Sequence, residues 1–144
     1  MTPPPPPLGP YAPVRRVGDW VITSGQIGLA TGADGVSALV EGGTIAQLHQ
    51  ALANAKAVLA TEGATLADVV KTTLYLLDMT EFSAVNEVWV QYFADDRPTR
   101  SAVAVVALPA GARVEVEAWA YVPATAPAAP APAGAPAPAG VPVR

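Results

Sequence analysis

The chain has 144 residues, 51% of them hydrophobic, no cysteine, and a formal net charge of −4 at pH 7. That length leaves room for one domain, and the missing cysteines exclude disulfides, thiolate metal sites and a cysteine nucleophile. The acidic balance and scattered basic residues argue against a nucleic-acid partner. No apolar run approaches the ~20 residues that cross a membrane and no secretory signal is visible, so a cytoplasmic protein with no membrane partner is expected.

Of sixteen prolines, seven fall in the first thirteen residues and seven lie beyond Val122. Flanks of that composition carry too little bulky apolar surface to offset the entropy of ordering. The chain is therefore divided into a disordered proline-rich tail over 1–8, a folded domain over 9–122, and a disordered Ala/Pro-rich tail over 123–144.

Within the domain, Val14 to Val17 and Trp20 to Ser24 read as a hairpin turned by Gly18-Asp19. Gly25 ends the second strand, and a glycine-rich loop runs on to Gly43. Thr44 and Gln47 have the spacing of a capping box, opening a helix whose stripe is Ile45, Leu48, Leu52, Ala55 and Leu59. Gly63 stops it. His49, the single histidine, lies beside the stripe without an acidic or imidazole neighbour at helical spacing, and is assigned to the helix surface.

Val69 to Leu77 is rich in β-branched residues and suits a mid-sheet strand. Asp78 to Thr80 caps a second helix over 81–93, with Phe82, Val85 and Trp89 inward and Asn86 bordering that face. Ser101 to Leu108, small and apolar between turn residues, suits a strand buried on both faces. Arg113 to Tyr121 alternates strictly, with Val114, Val116, Ala118 and Ala120 on one side and Glu115, Glu117, Trp119 and Tyr121 on the other. The order implies an α+β fold, a mixed sheet with two helices on one face. The other face would then need covering by further copies of the chain.

Arg100 stands at the edge of the 101–108 strand. Its planar fork matches a carboxylate two bonds at a time, so it reads either as a clamp for a carboxylate substrate or as half of an internal ion pair. A serine triad, a phosphate loop, a dinucleotide fingerprint and a metal cluster all lack the residues they need. The remaining polar candidates are Tyr11, Ser24, Asn86, Arg100, Glu115 and Glu117. Were 101–108 and 113–121 a plain hairpin, Glu115 would lie about 17 Å from Arg100 at ~3.4 Å per residue. The two could then share a pocket only across a subunit boundary, unless the strands are not hairpin neighbours.

Seven segments occur in order: Gly9-Pro10-Tyr11, Ser24-Gly25-Gln26-Ile27, Val70-Lys71-Thr72-Thr73, Asp78-Met79, Val85-Asn86, Arg97-Pro98-Thr99-Arg100-Ser101, and Leu108 through Ala118. Together they resemble the Rid (YjgF) family of reactive imine deaminases from about Gly9 to Val122. The resemblance implies a chorismate-mutase-like fold and a homotrimer with clefts between subunits. It also implies cofactor-free hydrolysis of 2-imino or enamino acids to 2-oxo acids and ammonia.

Carried over, Arg100 binds the carboxylate of the small imine substrate and Glu115 holds the attacking water. Ser24 and the Gly25 backbone contact the substrate, Tyr11 closes the cleft, and Asn86 lines it. Ala102 stands where the family often has cysteine, so a contact there would pass through its backbone. Gly28 stands where proline is common, which points to a looser loop. A non-catalytic binder of 2-oxo acids and a ribonuclease or translation inhibitor are the competing readings.

Overall fold

A computed structural model describes residues 2–123; the expected C-terminal tail lies outside the described residues from position 124 onward. The hairpin forms as its sequence suggests: β1 (Val14–Val17) pairs antiparallel with β2 (Trp20–Thr23), and Gly18 turns the chain at φ +59°. Residues 26–43, read as a glycine-rich loop, instead contain three short strands, β3 (Gln26–Ile27), β4 (Leu29–Thr31) and β5 (Ser37–Leu39). Leu29 and Leu39 pair across β4 and β5 and pack with Ile27 and Ala112, a small second core that glycine counting does not reveal.

Helix α1 (Gly43–Ala60) buries Leu48, Leu52, Ala55 and Leu59 of the expected stripe, with Gly63 at φ +72° just beyond its end. The expected capping box is absent. Gly42 (φ +107°) and Gly43 (φ +76°) start the helix ahead of Thr44, whose hydroxyl donates to the Glu81 carboxylate while the Gln47 side chain accepts from the Arg113 N–H at 2.8 Å. Tertiary partners thus take up both side chains that the motif reserved for the helix end.

Next come β6 (Val69–Leu76), α2 (Phe82–Tyr92), β7 (Thr99–Ala104) and β8 (Val114–Tyr121). Asp78 accepts from the Thr80 N–H in the turn that precedes α2. The main sheet runs β1-β2-β8-β6-β7, with β3 also on β8. Leu74 and Leu76 of β6, Val114, Val116, Ala118 and Ala120 of β8, and the apolar sides of both helices close one core, so the two helices cover one face.

For the 101–108 segment the structure takes the alternative in which the strands are not hairpin neighbours, and it overturns one expectation. It forms no hairpin with β8: β7 pairs only with β6, in parallel, and β6 separates it from β8. Nor is it buried on both faces, since Val103 is 42% exposed and Val106 fully exposed. The α2 crossover returns β7 at the sheet edge, where neither a second strand nor a helix covers its outer side. The uncovered sheet face carries Val70, Trp20, Trp119 and Tyr121, all substantially exposed in the single chain.

Candidate active site

Where β2 passes into β3, four steps from Ile22 to Gln26 oppose three on β8, from Trp119 to Val116. One extra residue must bulge out, which bends a strand and re-aims its neighbours. The Thr23 hydroxyl repairs the ladder by accepting the Ala118 N–H at 3.0 Å. Ser24 and Gly25 sit in the bulge, against the uncovered face of β8. A Cβ added at Gly25 would lie 1.7 Å from Glu115 Oε1, so only glycine leaves that carboxylate its place.

Around it lies a cavity of about 480 Å³ whose lining includes Tyr11, Ser24, Gly25, Gln26, Glu115 and Glu117. Burial, and next the nearby Glu117 charge, raise the Glu115 pKa above the ordinary carboxylate value. Tyr75, opposite Glu115 on β6, is raised in turn by burial and then by Glu117 and Glu115. Ser24 donates its hydroxyl to the Ala12 carbonyl at 2.7 Å and its N–H to the Pro13 carbonyl at 2.8 Å. Its side chain therefore anchors the N-terminal segment and keeps an oxygen lone pair for a ligand.

Gly28, where a looser loop was expected, is tightly enclosed. A Cβ there would meet the Gln47 Cα at 2.6 Å, so the absent side chain is what lets α1 approach.

Arg100, Asn86 and Ala102 are elsewhere. Arg100 pairs in register with Thr72, which is fully buried under the helices, and so projects to the helix side. Its guanidinium carbon lies 4.9 Å from the Trp89 ring centre and 5.3 Å from that of Phe82, favourable cation–π distances. Arg100 Nη2 donates to Asn86 Oδ1 at 2.7 Å. Nη1 is buried and has no partner. No carboxylate pairs with this fork among the described residues, where the ion pair present is Arg113 with Glu81 at 3.4 Å. Burial lowers the Arg100 pKa from the usual arginine value. Ala102 follows on the same side, half-buried against the core.

The candidate residues therefore fall into two groups. Tyr11, Ser24, Gly25 and Glu115 share the cavity, whereas Arg100, Asn86 and Ala102 lie across the sheet from it. Arg100 is level with Ala118 and Glu115 with Val103, a separation of three residues and two strands. That is about 10 Å along and about 10 Å across, on opposite faces.

The comparisons with known proteins agree with the motif reading. A family model described as Endoribonuclease L-PSP matches residues 1–122. The chain belongs to this family. It is the Rid or YjgF family to which the seven segments pointed. Mouse 2-iminobutanoate/2-iminopropanoate deaminase is 41% identical over 111 residues, covering 77% of this chain and 80% of that protein. A putative endoribonuclease from Thermotoga maritima superposes with a TM-score of 0.76 at 41% identity, over 82% of this chain and 91% of its own. E. coli TdcF, solved with bound serine, gives 0.74 at 33%, over 82% and 92%. The mixed α+β fold is thus that of the L-PSP family.

Two features of the site have no signal in the sequence, and a third was a candidate left without a role. Glu117, one of the polar candidates, follows Glu115 by two residues on β8 and so shares its side of the strand and its cavity. Phe82 and Trp89 were read as core alone, because helical spacing says nothing of a cation stacked on their rings. Pro5 to Leu8 were assigned to a tail, yet they line the Glu115 cavity. Proline content alone gives no signal for that contact.

His49, given a surface role, is half-buried and bonds the Tyr92 hydroxyl of α2 at 2.8 Å. It ties the two helices together. Among the described residues no helix is long and apolar enough to cross a membrane.

Proposed function

We propose that this chain hydrolyses 2-imino or enamino acids to 2-oxo acids and ammonia without a cofactor, at sites completed between copies in a homotrimer. The observation that carries this reading is the Arg100 fork, stacked and half-buried, with one nitrogen orphaned and, among the described residues, no acidic side chain paired with it. An orphaned buried donor costs about 1–3 kcal/mol, and a carboxylate ligand would satisfy it.

The opposite-face placement of Glu115 supports completion by a neighbour. The uncovered face with its exposed tryptophans is apolar surface that a second copy would remove from water. The named activity of the mouse relative, and the small amino acid bound in the TdcF structure, fit a site for small carboxylates.

In this mechanism Arg100, oriented by Asn86, holds the substrate carboxylate by two parallel hydrogen bonds. The imine carbon beside it is electrophilic once its nitrogen is protonated. Glu115 of the adjacent copy accepts a proton from a water aimed at that carbon and the C–O bond forms; Glu115 then returns that proton to the carbinolamine nitrogen, the C–N bond breaks to release ammonia, and the hydroxyl gives up its proton as the 2-oxo group forms. Tyr11 closes the cavity mouth, and Ala102 offers its backbone to the substrate. A ribonuclease reading fits less well, since the net charge of −4 repels RNA and the single histidine is bonded to Tyr92.

The test is release of 2-oxo acid from 2-aminoacrylate generated in situ by a serine dehydratase, followed across pH. Rate acceleration by the wild-type chain is expected, falling at low pH as Glu115 becomes protonated. Because the Glu117 charge helps to hold the Glu115 pKa up, Glu117→Gln should move that acid limb to lower pH. An unmoved limb would remove Glu117 from the account, and no acceleration at any pH would refute the proposed activity.

A further inference from the structure

The Glu115 cavity has an outer wall for which the mechanism above has no use. Pro5, Pro6, Pro7 and Leu8 form it, and Ile27 and Leu29 line the same space. At its root the Tyr11 N–H donates to the Gly9 carbonyl at 2.9 Å, reversing the chain, and Ser24 holds the carbonyls of Ala12 and Pro13. Farther out, Thr2 and Pro3 line a second cavity together with Ala53 and Ala57 of α1. The arm thus crosses from the site to the first helix.

Five consecutive prolines fix φ near −65° and hold the segment extended before it docks, so little backbone freedom is left to lose. They present ring faces and no N–H, which gives the wall an apolar character. A cavity of about 480 Å³ falls in the range of roughly 300–1,000 Å³ that accepts drug-sized ligands. A three-carbon imino acid occupies only part of that single-chain volume. Glu115 and Glu117 on the inner side disfavour an acidic side chain there.

We propose that Pro5 to Leu8 form the subsite for the substrate's side chain and select an apolar one, branched or aromatic, of about four or more carbons. This rests on reading the site as one for 2-imino acids. Calorimetric titration of stable 2-oxo acids reads the subsite without any catalysis. The full chain, a chain lacking residues 2–8, and a chain of full length with Pro5, Pro6 and Pro7 replaced by glycine would each be titrated with 4-methyl-2-oxopentanoate and with pyruvate.

The wild type is expected to bind the branched acid at least about tenfold more tightly than pyruvate, and both variants to lose most of that ratio. Retention of the wild-type ratio in either variant, or no preference in the wild type, would overturn the subsite while leaving the imino-acid reading in place. Failure of the wild type to bind either acid would overturn both.

Discussion

Replacing Arg100 with alanine is expected to lower kcat/KM for 2-iminopropanoate by about 10²- to 10⁴-fold with the fold intact. The magnitude follows from two charge-assisted hydrogen bonds to one carboxylate, each worth about 1.5–3 kcal/mol. Arg100→Lys keeps the charge but loses the planar fork and its stacking on Trp89, so a loss of about 10- to 100-fold is expected there.

Stability should respond differently. Arg100 carries a desolvated charge with Nη1 unpaired, so Arg100→Met, which fills the space between Phe82 and Trp89, is expected to leave Tm nearly unchanged. Steady-state kinetics and thermal unfolding of the three variants check this. A fall in Tm of more than about 8 °C for the methionine variant, or unchanged turnover in any variant, would show the guanidinium to be a structural ion.

Glu115→Gln is expected to reduce kcat by about 10²- to 10⁴-fold, the usual worth of a positioned general base, with little change in KM because the carboxylate clamp is elsewhere. The larger consequence comes from mixing. Arg100→Ala and Glu115→Gln chains alone should each show only the small residual turnover given above. If each site draws Arg100 from one copy and Glu115 from the next, trimers reassembled from an equal mixture contain both native groups in about a quarter of their sites.

Recovery of about that fraction of wild-type activity is therefore expected after co-refolding, in a species of about three times the 14.6 kDa chain mass. Zero recovery with efficient mixing would place both groups in one chain's site, against the opposite-face geometry. A monomeric mass would remove the shared cleft altogether.

The same two residues show where the sequence was legible. Strict alternation over 113–121 put Glu115 and Glu117 on one side of β8 and its small apolar residues on the other, and the pairings with β6 bear this out. The stripe of α1, the β1–β2 turn at Gly18-Asp19, and the inward Val85 and Trp89 of α2 were readable for the same reason, namely that 3.6- and 2-residue periods are local properties. The capping box expected from Thr44 and Gln47 does not form, because Glu81 and Arg113, remote in sequence, hold both side chains. The Gly25 bulge escaped notice because an extra residue is visible only against a partner strand.

The sequence by itself determined the α+β class, the family, the burial pattern of each long element and the short set of polar residues able to bind an acid. Only the tertiary structure decided that β6 stands between β7 and β8, and with it that Arg100 faces the helices while Glu115 faces away. Periodicity states which residues of one strand share a side, but strand order and the relation of one strand's sides to another's are settled by long-range pairing. That pairing separates the clamp from the base within a single chain.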